Sequence, residues 1–129
     1  MEHFGLRKIF NSIVTKMVTI VYICKAMRVI AVKTLREYAK EFHQAEQALL
    51  SWYDEITNAE WDSTSELKGQ YRNASILNNK RVVFNIHGNS YRLIVDIEYR
   101  LKIVFIVWFG THKQYDNIDA KTISYDKAN

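Results

Sequence analysis

The chain of 129 residues has no proline, a single cysteine and only four glycines. Because flexible linkers are usually rich in proline, glycine or serine, these absences argue against a linker between two domains, and the length is that of one domain. The lone Cys24 cannot form a disulfide within the chain. We therefore expect a single domain in a reducing, cytoplasmic compartment.

Long hydrophobic runs are also missing. The most apolar early stretch, residues 9–24, is interrupted by Asn11, Lys16 and other polar residues, and it is too short to span a membrane. It also lacks the clean apolar core and small-residue cleavage site of a signal peptide. We expect residues 1–26 to be an N-terminal extension that the native protein need not contain. The folded pattern begins at Met27, so residues 27–129 are expected to form a functional domain without membrane contact.

The net charge of +4 comes from 18 basic and 14 acidic residues. Much of the excess lies in residues 1–26, which carry Arg7, Lys8, Lys16 and Lys25 against Glu2. The rest of the chain is close to neutral. Any nucleic-acid surface must therefore come from local clusters of basic side chains rather than from the overall charge.

Two helices are predicted in the first half of the chain, after a short β-rich run at residues 28–32. The first hydrophobic stripe comprises Leu35, Tyr38, Ala39 and Phe42. Thr34 and Glu37 match the pattern of a capping box at its start. After a break at residues 43–44, the second stripe comprises Ala45, Ala48, Leu49, Trp52, Tyr53 and Ile56. Residues 58–79 are predicted to be mostly loop, with one helical turn at residues 65–71.

From Arg81 the hydrophobic period changes to two, which indicates strands. Gly88 stands at the first central position of a turn between them, which suits a type II′ hairpin. The resulting register sets Ile86 opposite Tyr91, Phe84 opposite Leu93, Val82 opposite Val95 and Arg81 opposite Asp96. A third strand at residues 102–109 is predicted to follow a three-residue loop, with Glu98 opposite Lys102, Val95 opposite Phe105 and Leu93 opposite Val107.

These elements predict an α+β fold: a short N-terminal strand, two helices, and then an antiparallel meander of about three strands. The helices should cover the face of the sheet that carries Phe84. The other face should carry Asn85, Arg92 and Trp108, with His112 and Tyr115 beside the hairpin turn.

Arg92, His112 and Tyr115 are the candidate catalytic residues, because together they supply a cation for a phosphate and two groups able to move protons. Each also has a structural interpretation: Arg92 as a salt-bridged arginine, His112 as a polar loop residue and Tyr115 as a core or rim aromatic. A guanidinium placed beside Asn85 rather than an acid favours phosphate binding. Lys68 and Lys80 flank the strands, where each is either an RNA contact or a solvated charge.

Other chemistries find little support. Asp96 and Glu98 share a strand face, but Arg81 and Lys102 should neutralise them, so no metal site is predicted and no cofactor is expected. No pair of Cys and His residues has zinc-site spacing, and neither a glycine-rich phosphate loop nor a Gly-x-Ser-x-Gly elbow is present. Trp52, Trp61 and Tyr53 are interpreted as packing residues.

Several segments resemble the HigB-type mRNA interferase toxins of the RelE/ParE-like superfamily, over residues 27–119. They are Met27–Ile30 with Leu35 and Glu37, Leu67–Lys68, Val83–Ile86, Gly88–Asn89, Tyr91–Ile94, and Thr111–His112 with Tyr115–Asp116. The resemblance implies a compact RelE-like fold. It also implies a type II toxin–antitoxin pair, in which a helix-turn-helix antitoxin binds and neutralises the toxin in a hetero-oligomer.

The same resemblance implies an endoribonuclease that cleaves mRNA on the translating ribosome. Carried over by position, it gives Arg92, His112 and Tyr115 catalytic roles, and it gives Asn85, Asn89, Lys68 and Lys80 roles in substrate binding. Alternatives are a same-fold toxin that inhibits DNA gyrase or another target by binding alone, a non-enzymatic RNA-binding module, and a metal-dependent nuclease.

Overall fold

A computed structural model describes residues 26–125, and within that range it shows an α+β domain with a five-stranded mixed sheet and four α-helices. The predicted N-terminal extension lies outside the described residues except for Ala26. The chain order is β1 (Arg28–Ile30), α1 (Val32–Glu41), a 3₁₀ turn (His43–Ala45), α2 (Glu46–Thr57), α3 (Thr64–Gln70), β2 (Ser75–Ile76), β3 (Arg81–Ile86), β4 (Tyr91–Glu98), β5 (Ile103–Thr111) and α4 (His112–Tyr115). The predicted fold class is confirmed. The structure adds one strand, β2, and the short helix α4, and α3 lies where one helical turn was predicted.

The sheet has the order β1-β5-β4-β3-β2. Strands β2, β3, β4 and β5 pair antiparallel to one another, whereas β1 pairs parallel to β5 at the edge. The meander thus forms the centre of the sheet, and β4 is its middle strand. Because β4 is covered on both faces, seven of its eight residues are buried. Because it is packed on both faces and between two strands, β4 holds its side chains in well-defined positions.

Helices α1, α2 and α3 cover one face of the sheet. They contribute Leu35, Leu49 and Leu67, each almost fully buried, to a core that also contains Phe84 and Leu93. Trp52 and Trp61 lie in this core and Tyr53 packs against it, as predicted. Burying a large apolar side chain contributes about 1.5–3 kcal/mol, so this face holds the domain together.

The start of α1 differs from the prediction. The helix begins at Val32, and its N-cap residue is Ala31, in the left-handed region with φ 73 and without a side-chain cap. The Thr34–Glu37 capping box is therefore wrong. A left-handed residue turns the chain from β1 into α1 within one position, which leaves Thr34 already inside the helix.

The register of β3 and β4 matches the prediction at every pair, from Ile86 opposite Tyr91 to Arg81 opposite Asp96. The register of β5 does not. The structure pairs Glu98 with Ile103 and Leu93 with Phe109, with a bulge beside Ile94 and Val95. The predicted loop was one residue too short because Lys102, not a glycine, takes the left-handed position, with φ 58.

The second face of the sheet carries a smaller buried cluster of Val83, Ile94, Val107 and Trp108, against which Ile118, Ala120 and Ile123 pack. Arg81 joins this C-terminal segment to the sheet. Its guanidinium forms a two-pronged ion pair with Asp96, at 2.7 and 2.8 Å, and also donates to the carbonyls of Ala120 and Ile123. The Asp96 carboxylate raises the pKa of Arg81 above its ordinary value. Lys102, however, pairs with Asp62 and not with Glu98 as predicted.

Candidate active site

The β3–β4 hairpin turn forms one end of the candidate site. Its residues, 87–90, are all exposed, and the turn is closed by a hydrogen bond of 3.2 Å from the Ser90 amide to the His87 carbonyl. Gly88 has φ 64, the positive value that the first central position of a type II′ turn requires. His87 is also left-handed, with φ 56, which the sequence did not predict.

Arg92 lies on β4 directly after this turn, and only 8 % of it is exposed. Its Nη2 donates to the Asn89 side-chain oxygen at 2.6 Å, and its Nη1 donates to the carbonyls of Asn89 and Tyr91 at 3.1 Å. Within residues 26–125, no carboxylate lies within ion-pair distance of the guanidinium. Its charge is therefore surrounded by neutral oxygens, an environment that favours an approaching anion.

Gly110 faces Arg92 across the sheet and leaves room for the elements above it. A Cβ atom at this glycine would lie 2.5 Å from the Trp108 ring and 2.7 Å from Oε1 of Gln114. The Trp108 indole and the Gln114 amide therefore occupy the space that a side chain would fill. Only glycine lets α4 lie this close to β5.

Helix α4 begins in a complete capping box. The Thr111 hydroxyl accepts from the Gln114 amide at 3.1 Å, and the Gln114 side chain accepts from the Thr111 amide at 2.9 Å. The Thr-x-x-Gln pattern that produces it is a sequence signature of a helix start. This cap orients the two following candidates, His112 and Tyr115.

His112 is tied to the hairpin turn by its backbone, because its amide donates to the Ser90 carbonyl at 2.9 Å. Its imidazole Nε2 lies 3.9 Å from the Asp116 carboxylate, and its side chain is 48 % exposed. The imidazole is thus open to a substrate and has an acid beside it. Sequence reasoning did not assign Asp116 to the site, although its spacing of four residues on a helix predicts such a contact.

Tyr115 lies over Arg92. The centre of the guanidinium is 5.9 Å from the centroid of the Tyr115 ring, within the range of a cation–π contact, and the ring also packs against Trp108. Tyr115 is half-buried. Arg92, His112 and Tyr115, which the sequence singled out, are therefore brought to one end of the second sheet face.

The four weaker candidates divide into two groups. Asn85 pairs with Arg92 across the strands and Asn89 accepts from it, so both belong to the cluster, and both are exposed. The Lys68 ammonium instead donates to the carbonyls of Arg72 and Ala74, at 2.6 and 2.8 Å. Lys80 lies at the far end of β3, roughly 20 Å along the strand from the hairpin turn.

Within the described range, no group of three or more His, Cys, Asp or Glu side chains has the geometry to hold a metal ion. No helix in the same range is long and apolar enough to cross a membrane. What the cluster does offer is a desolvated cation, an open imidazole with an acid beside it, and an aromatic hydroxyl. These groups are suited to binding a phosphate and transferring protons.

A comparison with known families matches residues 45–118, over half of the chain, to the HigB toxin model, described as the RelE-like toxic component of a toxin–antitoxin system. The chain belongs to the HigB toxin family. The matched range includes Arg92, His112 and Tyr115, together with the hairpin turn. As a HigB toxin, the protein is the toxic half of a pair, and its family implies an antitoxin partner. No curated protein matches the chain.

Proposed function

We propose that this HigB toxin is an endoribonuclease that cleaves mRNA on the translating ribosome and so inhibits translation in the cytoplasm. The observation that carries the proposal is Arg92, a buried guanidinium that has only neutral oxygen partners among the described residues. Its Nε–H and one Nη2–H have no acceptor within residues 26–125, and they are therefore available to phosphate oxygens.

The proposed reaction is attack by a ribose 2′-hydroxyl on the adjacent phosphate. The His112 imidazole accepts the 2′-hydroxyl proton, and the Asp116 carboxylate, 3.9 Å away, stabilises the imidazolium that forms. Arg92 binds the non-bridging oxygens as their charge grows. The bond to the 5′-oxygen then breaks, leaving a 2′,3′-cyclic phosphate and a 5′-hydroxyl end. No step requires a metal ion.

Tyr115 and the two asparagines would position the RNA. The Tyr115 ring lies over the guanidinium, and its hydroxyl, which has no hydrogen-bond partner among the described residues, would orient the phosphate or protonate the leaving oxygen. Asn85 and Asn89 offer exposed amides on either side of Arg92. Lys68 and Lys80 do not contact this cluster in the described residues. Their role would be to contact phosphates of the bound RNA farther from the cleavage site.

The partner that neutralises the toxin is proposed to be a cognate helix-turn-helix antitoxin. In a hetero-oligomeric complex, it would block the surface around the hairpin turn or hold the toxin away from the ribosome. Of the described elements, α4 and the turn residues present the exposed polar groups that such a partner would have to cover.

The test uses purified toxin, translating ribosomes and a defined mRNA, with mapping of new 5′ ends and analysis of the 3′ ends. His112→Ala should lower the cleavage rate by about 10²–10⁴-fold. Arg92→Lys keeps the charge but loses the planar fork, and we expect a loss of about 10²-fold. His43→Ala is the matched control, because His43 is exposed on the 3₁₀ turn and, among the described residues, its side chain forms an ion pair with Glu46 alone.

A 2′,3′-cyclic phosphate at the new 3′ ends is the expected product. A 3′-hydroxyl end would instead indicate a metal-dependent nuclease. Growth arrest in bacteria without any new mRNA ends would contradict the proposal and favour a toxin that inhibits DNA gyrase or another target by binding. In that case the His112→Ala variant would remain toxic.

A further inference from the structure

Only one end of the Gln114 side-chain amide has a partner within residues 26–125. Its oxygen, Oε1, accepts from the Thr111 amide at 2.9 Å. Because a backbone N–H can only donate, this bond determines which end of the side chain is the oxygen. The NH₂ group at the other end has no acceptor among the described residues. Gln114 is exposed, so these two N–H donors are open to a ligand.

The Gln114 amide lies on the same sheet face as Arg92. Gly110 is directly opposite Arg92 in the pairing of β4 and β5, and opposed residues of an antiparallel pair direct their side chains to one face. A Cβ at Gly110 would lie 2.7 Å from Oε1 of Gln114. The nitrogen of an amide is about 2.2 Å from its oxygen, so the NH₂ group lies over the strand position that faces Arg92. Tyr115, the next residue of α4, lies over the guanidinium on this same face.

The proposed reaction builds negative charge on the two non-bridging oxygens of the phosphate. Arg92 donates to these oxygens through its Nε–H and one Nη2–H under the proposed function. The Gln114 amide adds two donors without adding charge, and donors that are already oriented stabilise developing charge best. The capping box supplies this orientation, because the Thr111 hydroxyl accepts from the Gln114 backbone while the Thr111 amide holds Oε1.

We propose that Gln114 is a further substrate-binding residue, whose side-chain NH₂ donates to a non-bridging oxygen of the scissile phosphate. This proposal rests on the endoribonuclease function proposed above. Arg92 and Gln114 then bind the phosphate together from β4 and α4. The amide exchanges no proton with the substrate, and no covalent bond of Gln114 forms or breaks. One side chain thus both caps α4 and contacts the RNA.

Gln114→Glu is the variant that separates these two roles. A glutamate at this position of a capping box accepts from the N-cap amide as glutamine does, so the start of α4 is retained. Its carboxylate has no N–H to donate, and its charge repels a phosphate. Gln70→Glu is the matched control. Gln70 also accepts through Oε1, from the Trp61 indole at 3.0 Å, and it lies in α3 on the helix-covered face of the sheet.

The assay uses the full-length toxin, translating ribosomes and an mRNA with a mapped cleavage site. The linkage at that site is either the natural phosphate or one of the two diastereomers in which sulfur replaces a non-bridging oxygen. Sulfur is a weak hydrogen-bond acceptor, so each diastereomer weakens the contacts made to one oxygen. The midpoint of urea unfolding is measured for the wild type and both variants.

We expect Gln114→Glu to cleave the natural mRNA about 10–10²-fold more slowly than the wild type, as the loss of one hydrogen bond to a charged group predicts. Its unfolding midpoint should equal that of the wild type, and Gln70→Glu should be normal in both measurements. One sulfur diastereomer should slow the wild type. The same sulfur should cause no further loss in Gln114→Glu, because the contact that it weakens is already missing.

Three results would overturn the assignment of Gln114. The first is a wild-type rate for Gln114→Glu, and the second is an equal loss in Gln70→Glu, which would indicate a general effect of charge. The third is a sulfur effect of the same size in Gln114→Glu as in the wild type, because the NH₂ group then contacts neither oxygen. All three require a wild type that cleaves. A wild type that produces no cleaved ends refutes the endoribonuclease function and the role of Gln114 with it, so the two failures are distinguishable.

Discussion

Gly110→Ala is the substitution for which the structure gives the sharpest expectation. The new Cβ would lie 2.5 and 2.7 Å from two atoms of the Trp108 ring and 2.7 Å from Oε1 of Gln114. Ordinary contacts between carbon atoms are about 3.5–4.0 Å, so each neighbour would have to retreat by about 1 Å. Trp108 is only 8 % exposed and packs within the second-face cluster, which leaves it little freedom to move.

Overpacking of this kind costs about 1–3 kcal/mol. Replacing glycine by alanine within a strand recovers part of this, about 0.5–1 kcal/mol, because the unfolded chain loses conformational freedom. The net expectation is a loss of about 1–2 kcal/mol in the free energy of unfolding. With a urea dependence of about 1–3 kcal/mol per molar, the unfolding midpoint should fall by roughly 1 M.

Gly69→Ala provides the matched control. Gly69 lies in α3, and a Cβ there would meet nothing within 4 Å. The same chemical change should therefore stabilise the protein by about 0.5–1 kcal/mol. Equilibrium urea unfolding followed by far-ultraviolet circular dichroism measures both variants, and the two midpoints should move in opposite directions from the wild type.

A double-mutant cycle identifies the neighbour that causes the loss. In a Trp108→Leu background, most of the crowding is removed, and Gly110→Ala should then be nearly neutral, with a coupling energy of about 1 kcal/mol or more. If Gly110→Ala is as stable as the wild type, the indole does not lie over Gly110. The account of how α4 is held against β5 would then have to be abandoned.

Three further predictions concern other parts of the domain. Arg81→Ala leaves the buried Asp96 without its ion pair and should cost about 3–5 kcal/mol in urea unfolding, whereas the double variant Arg81→Met with Asp96→Leu should recover most of that loss. Burial raises the pKa of Tyr99 to about 12, and within the described residues its hydroxyl is buried without a hydrogen-bond partner. The stability that Tyr99 contributes is thus fully present below pH 10 and is lost as the pH rises towards 12, so Tyr99→Phe should flatten this part of a stability–pH profile. His87→Gly should raise the free energy of unfolding by about 1 kcal/mol in urea unfolding, because glycine adopts φ 56 without strain.

The β3–β4 hairpin could be predicted from the sequence because three independent signals agreed. Hydrophobic alternation fixed the faces, Gly88 fixed the turn, and the opposite charges of Arg81 and Asp96 fixed the far end. The candidate cluster was found by the same logic. Arg92 is the second residue after the turn, and His112 directly follows the neighbouring strand, with its amide bonded to the Ser90 carbonyl.

The sequence was insufficient where the backbone departs from the regular pattern. Lys102 adopts a left-handed conformation, and a bulge interrupts the pairing of β4 and β5, neither of which alters the hydrophobic pattern enough to be recognised. Trp108 nevertheless lies on the predicted face, because beyond the bulge the error is two residues, and a shift of two preserves the face of a strand.

The short elements were missed for a different reason. Strand β2 has two residues and α4 has four, so neither is long enough to show a period, whereas α3 lies where a helical turn was predicted. The role of Lys68 was equally invisible. A lysine whose ammonium binds carbonyl oxygens of the following loop has the same sequence signature as one that contacts RNA.

The candidate site combines a buried cation with groups that are open to solvent, and this combination bears on why a ribosome would be needed. Arg92 is fixed by its acceptors and by Tyr115, so a phosphate bound to it under the proposed function would have a preorganised position. Asn85, Asn89 and His112 are exposed, so the described residues leave an RNA strand free to rotate about that one anchor. When binding aligns the 2′-hydroxyl, phosphorus and 5′-oxygen, the activation free energy of cleavage falls by several kcal/mol. A surface that binds the phosphate without confining the nucleotide cleaves faster when another macromolecule holds the RNA in an extended conformation. Under the proposed function, that macromolecule is the ribosome.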